Sequence, residues 1–152
     1  MNNRQKVLFN QLQTYRNEIL DVIDGMTDKE AEFIPTGFNN NVHWNLGHIY
    51  LDQYLWIQAL TKEKMDIPNI FHSSFGFGTS PKDFTAETPS MIELKKLLSK
   101  QPNDIQQTYG DRLDEPFPPI DMEMCTLEQV LIRTIFHEGM HLQAIMDIKK
   151  SL

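Results

Sequence analysis

The sequence holds a single cysteine, Cys125, so no internal disulfide can form and a reducing compartment is expected. No stretch approaches the ~20 apolar residues of a membrane span. The opening run Met1-Asn2-Asn3-Arg4-Gln5-Lys6 leads into an amphipathic pattern and has none of the uniform apolar character of a secretion signal. Positive charge is also scarce: 14 Lys and Arg stand against 21 Asp and Glu, for a net charge of -7, and no basic cluster is longer than a Lys-Lys pair. Such a chain attracts neither a phosphate backbone nor an anionic membrane surface, which excludes nucleic acid and membrane partners. Sustained period-two alternation is missing as well, which argues against strands. A cytoplasmic, all-helical protein is the expectation these absences leave.

What is present suits one globular domain spanning residues 1–152, with 40% hydrophobic and 23% charged residues. A chain of this size removes roughly 68 to 70% of its extended surface from water on folding, so it needs no metal merely to stand up. A metal held by it would then serve chemistry.

Four segments carry helical periodicity. The first runs from about Arg4 to Gly25, with Leu8, Leu12, Tyr15, Ile19 and Val22/Ile23 on its inward stripe and Gly25 as its stop. The second runs from about Val42 to Leu60, capped by Asn41, with Trp44, His48, Leu51 and Leu55 on one face. The third is expected to begin at Thr88-Pro89 and to carry Met91, Leu94, Leu98 and Ile105, with Pro102 kinking or splitting it. The fourth starts after Thr126, whose hydroxyl and the Gln129 amide form a capping box. Its stripe reads Leu127, Val130/Leu131, Thr134, His137, His141, Ala144/Ile145, Ile148. Residues Thr61 to Glu87 are longer than a tight turn requires and read as a crossover that makes helices two and three parallel. Its aromatic run Phe71-His72-Ser73-Ser74-Phe75-Gly76-Phe77-Gly78 is expected to pack down as a lid or to meet a partner subunit.

The chemistry lies in His137-Glu138-Gly139-Met140-His141. A spacing of four places both imidazoles on one helix face, one turn apart, where both can reach a single ion. His48 is the other histidine on the inward stripe of a strongly patterned helix, and supplies the third ligand. A lone inward histidine is more often a hydrogen-bonded core residue, but three of them are costly to bury without a common partner. Three neutral imidazoles suit zinc, nickel, copper or iron better than magnesium or calcium, and leave a coordination position open to water or substrate. The pentapeptide also fits H-E-x-x-H, in which the glutamate is a metalloprotease base. The rest of the chain does not support a protease, because Ala144 stands where a metzincin needs glycine, and neither a histidine nor a glutamate occurs after His141.

With these residues in place, the chain resembles the DinB/YfiT-like superfamily. The resemblance rests on Pro35-Thr36-Gly37 with Asn39 and Asn41, on Trp44-Asn45-Leu46-Gly47-His48-Ile49, and on the terminal His137-Glu138-x-x-His141. It implies an up-down-down-up four-helix bundle with a long crossover between helices two and three, frequent homodimers, and a metal triad on His48, His137 and His141. It also implies reactions in which a metal activates a low-molecular-weight thiol, as in bacillithiol S-transferases and mycothiol-dependent isomerases. One departure stands out: a Gly-Gln pair often comes two and three residues after the last histidine, and here Gln143-Ala144 occupies those positions.

Neighbouring residues have two readings each. Glu138 lies about 100 degrees around the helix from His137 and is either a proton acceptor at the pocket edge or a flank residue. Asp52, one turn after His48, either orients that ring or is a solvated surface carboxylate. His43 and His72 are expected to be polar surface groups, and Cys125 a half-buried thiol without a role. The function expected is a transferase or hydrolase using one divalent transition metal, zinc or nickel, on a small electrophilic substrate. The alternative is a metal-stabilised stress or interaction protein without turnover.

Overall fold

The computed structural model describes all 152 residues. Six α-helices form: α1 (Asn3–Val22), α2 (Asp28–Glu32), α3 (Val42–Thr61), α4 (Asn69–Phe75), α5 (Met91–Tyr109) and α6 (Leu127–Lys149), with short 3-10 turns between some of them. None is long and apolar enough to cross a membrane. The caps read from sequence hold at α3, where the Asn41 side chain accepts the Trp44 amide, and at α6, where Thr126 and Gln129 close a capping box. The start of α5 differs. Ser90 is its N-cap, in a capping box with Glu93, because Thr88 is engaged by Ser74 and by the Thr85 amide.

The long helices are the framework. Asn45 of α3 meets His141 of α6 and Gln53 meets Thr134, so those two helices are antiparallel. Arg4 pairs with Glu128 and Arg16 with Glu138, so α1 and α6 are parallel. Gln101 reaches the Tyr50 carbonyl while His43 reaches that of Pro89, so α3 and α5 also run alike, as the long crossover requires.

The core divides in two. One cluster of 15 buried residues includes Ile19, Leu46, Leu51, Phe75, Leu98 and Ile145, and a second of 12 includes Leu8, Leu12, Ile57, Ile105 and Leu131. Between them each long helix contributes polar side chains that are buried: Arg16, Gln53, Gln101, Thr134 and Glu138. Arg16 binds Glu138 through Nε and Nη2, the Leu98 carbonyl and Gln101 Oε1 through Nη1 at 2.8 and 2.9 Å, and Gln53 Oε1 through Nη2 at 3.1 Å. Pro102 sits within α5 and does not split it. A proline at that place has no N–H for the carbonyl four residues back. That carbonyl belongs to Leu98, and the Arg16 guanidinium takes the missing donor's place.

Arg16 therefore occupies the inward stripe of α1, and Tyr15, expected on that stripe from the periodicity, lies at its exposed border. The crossover also holds more structure than its composition promises. Phe71 and Phe75 of α4 are buried in the core, whereas Phe77 is fully exposed.

Candidate metal centre

His48 from α3 and His137 and His141 from α6 each offer a ligand atom, and the atoms lie within 4.8 Å of one another. Each ring is tied down on its far side. His48 Nδ1 lies 2.7 Å from the Phe75 carbonyl, His141 Nδ1 lies 2.7 Å from Asn45 Oδ1, and His137 Nδ1 lies 3.1 Å from Asp52 Oδ2. A carbonyl and a carboxylate only accept. The Asn45 amide is fixed in the same sense, because its Nδ2 donates to Asn40 Oδ1 at 3.1 Å and to the Asn41 carbonyl at 2.7 Å. All three Nδ1 atoms must therefore carry the proton, which leaves a lone pair on every Nε2.

The consequence is electrostatic. His137 Nε2 and His141 Nε2 stand 3.1 Å apart, and neither has a proton to share. Burial, reinforced by the positive charge of neighbouring rings and Arg133, holds the His137 imidazole down to about 3 and the His141 imidazole down to about 4. Protonation thus does not relieve the facing lone pairs near neutral pH, whereas a cation between them would. The residues fit a divalent transition-metal ion: three neutral imidazoles in closed tautomers, with no charged donor among them.

The segment Trp44 to His48 supplies most of this local order. The Trp44 ring stacks on His48 at 4.7 Å and 10°, and its indole N–H donates to Thr79 Oγ1 at 3.0 Å. Asn45 anchors His141. Gly47 has no Cβ because one would lie 2.3 Å from the Phe75 ring, and that close approach is what brings the Phe75 carbonyl to His48.

The histidines open onto a cavity of about 680 Å³, whose other walls include Trp44, Leu55, Trp56, Phe77 and Arg133. Arg133 lies over the Trp56 ring at 4.4 Å, and its Nη1 donates to Asp52 Oδ2 at 3.2 Å. Asp52 therefore serves His137 and Arg133 together. Its burial raises its carboxyl above the usual range, against the pull of His48 and Arg133.

Several expectations need correction. Asp52 orients His137 and leaves His48 to the Phe75 carbonyl. Glu138 is no edge of this cavity. Its side chain is buried on another side of α6, where Arg16 engages both of its oxygens, so the proton-acceptor role has no geometry. His43 is buried and bonded to the Pro89 carbonyl at 2.7 Å, with Nδ1 unpartnered. His72, by contrast, is exposed and outside the cluster and Cys125 is half-buried, both as expected. Gln143, at the point of departure from the family pattern, bonds Asp147 on the surface and touches nothing in the site. Sequence reasoning did not find Arg133 or the anchoring role of Asn45. The available signals were a place four residues before His137, hence the same helix face, and a place three residues before His48.

A helical bundle that turns three converging histidines toward an open cavity defines a class, that of helical proteins able to hold one metal ion in their core. The chain belongs to the DinB superfamily, whose family model matches residues 11–145 and so takes in every histidine of the cluster. No curated protein matches it.

Proposed function

We propose that the chain is a metal-dependent enzyme in which His48, His137 and His141 bind one divalent transition-metal ion, zinc or nickel, and which transfers a low-molecular-weight thiol to a small electrophilic molecule or hydrolyses it. The observation that carries this reading is the set of unprotonated Nε2 atoms facing a cavity in which no fourth protein ligand joins them. Structural zinc sites close with four protein ligands, and catalytic ones keep a position open. When bound, such an ion lowers the pKa of a thiol or water in its open position and so supplies a nucleophile near neutral pH.

The protein's own share is positional. Phe75, Asn45 and Asp52 hold the imidazoles in one tautomer and one orientation. Trp44, Leu55 and Trp56 form apolar walls that hold a small substrate and thin out the water beside the histidines. Glu138 is sealed away, so the carboxylates that line the cavity and can take a released proton are Asp52, whose Oδ2 accepts from His137 and Arg133 and whose Oδ1 is free, and Asp121 on the rim.

Elemental analysis tests the metal: the wild type is expected to carry one ion per chain and His137→Ala none, and unchanged content in the variant overturns the assignment. Turnover is tested with a panel of small electrophiles offered with bacillithiol, glutathione or water. Product that requires the metal supports the enzyme, and a metal that raises only the melting temperature supports the non-catalytic alternative.

We also propose a homodimer. On α6 Ile132, Phe136 and Met140 are exposed, an apolar stripe of the kind that marks a contact surface. Sizing should give a dimer for the wild type and a monomer for Phe136→Asp, and a monomeric wild type defeats this part.

A further inference from the structure

Arg133 is the one cation lining the cavity, and its guanidinium is held from two directions. Asp52 takes a hydrogen bond from its Nη1 at 3.2 Å, and the Trp56 ring lies under its plane at 4.4 Å. Two anchors on different faces fix the guanidinium in place. Yet that hydrogen bond is its only one, so Nε and Nη2, the paired edge that Arg16 uses to grip Glu138, meet no acceptor in the protein. Asp52 Oδ2 also lies 3.1 Å from His137 Nδ1, which sets the guanidinium one carboxylate oxygen away from the histidine cluster.

We infer that Arg133 is a specificity-determining residue that grips a carboxylate of the substrate through its Nε–Nη2 edge, so that the natural ligand of this cavity is a small carboxylic acid. This rests on the reading of the cavity as a substrate site. A guanidinium edge matches the two oxygens of a carboxylate in one plane. Phosphate also fits such an edge, but Asp52 and Asp121 line the same cavity, and their charge tolerates a single negative charge better than two. The remaining walls, Trp44, Leu55 and Trp56, suit an apolar stem between the carboxylate and the atom presented to the histidines.

The test uses tryptophan fluorescence, because the chain's two tryptophans, Trp44 and Trp56, both line the cavity. The 152-residue chain is titrated with 3-mercaptopropionate, with its uncharged amide and with a phosphate monoester of equal length, both after chelation and after loading with zinc. The acid is expected to bind roughly ten- to a hundredfold more tightly than the amide, the range for a hydrogen bond to a charged group. The preference should persist in the chelated protein, fall to about one in Arg133→Met with amide binding unchanged, and survive in part in Arg133→Lys. A preference that Arg133→Met leaves intact, or that exists only with zinc, assigns the carboxylate to the ion and overturns the inference. So does equal binding of acid and amide, tighter binding of the phosphate ester, or no response to either thiol. Should Arg133→Met fail to fold, Arg133→Lys decides alone, an undiminished preference being the adverse result. A protein that takes up no zinc yet keeps the Arg133-dependent preference refutes the metal assignment and leaves this inference standing.

Discussion

Neighbours in sequence, His137 and Glu138 serve two polar regions built on opposite principles. Around Glu138 the polar atoms close on one another: Arg16 binds Glu138, Gln53, Gln101 and the Leu98 carbonyl, Gln53 passes on to Thr134, and Gln101 to the Tyr50 carbonyl. Around His137 the polar atoms are satisfied only on their outer side, and the inner nitrogens converge on each other without a partner. A closed network leaves nothing to bind and gives its energy to the fold. A network left incomplete at one point is a receptor for whatever completes it.

The contrast between the two regions breaks most visibly under substitution. Glu138→Ala strands the fully buried guanidinium of Arg16 and should cost about 3–5 kcal/mol in urea denaturation. The double variant Arg16→Met, Glu138→Leu removes both charges and should recover most of that loss. If the single variant unfolds at the wild-type urea concentration, the network carries no structural weight. By contrast, Asn45→Ala and Asp52→Asn act on the open region. Each frees a histidine to present the wrong nitrogen and should weaken zinc binding about 10- to 100-fold in a chelator competition, a shift of the size seen when such supporting groups are lost. Their effect on the stability of the metal-free protein should be smaller than that of Glu138→Ala, and a reversal of this order would erase the distinction between the regions.

Gly47→Ala sharpens the contrast further. A methyl group 2.3 Å from the Phe75 ring must displace α4, at about 1–3 kcal/mol for an overpacked core, and must carry the Phe75 carbonyl away from His48. Both stability and zinc affinity should drop, and an effect on stability alone would show that the carbonyl does not orient His48. The smallest effect is expected of Gln143→Ala, a surface change within about 0.5 kcal/mol that leaves zinc affinity as it was.

Much of this architecture is legible in the sequence. Asn41 and the Thr126–Gln129 pair announce the starts of α3 and α6, and the spacing of four announces that His137 and His141 share a face. Other residues mislead for physical reasons. Arg16 stands among apolar positions of α1, where a charged residue reads as a flank unless its partners are known, and those partners lie on three other helices. Glu138 reads as a pocket edge because its angle from His137 is fixed by the helix, while the side on which Arg16 waits is not. Pro102 does not split α5, because the Leu98 carbonyl that its ring leaves unpaired finds a donor far along the chain. Asp52 pairs by proximity with the histidine one turn away on its own helix, yet it serves one on α6.

By itself the sequence determined most of the apolar faces of the long helices, where α3 and α6 start, and that His48, His137 and His141 are inward, because these arise from local periodicity and caps. Only the tertiary structure decided which acceptor meets each Nδ1, that Glu138 belongs to the core, and that Arg133 faces the cavity. Those are contacts between helices distant in sequence, and no repeat within one helix encodes the rotation of its neighbour.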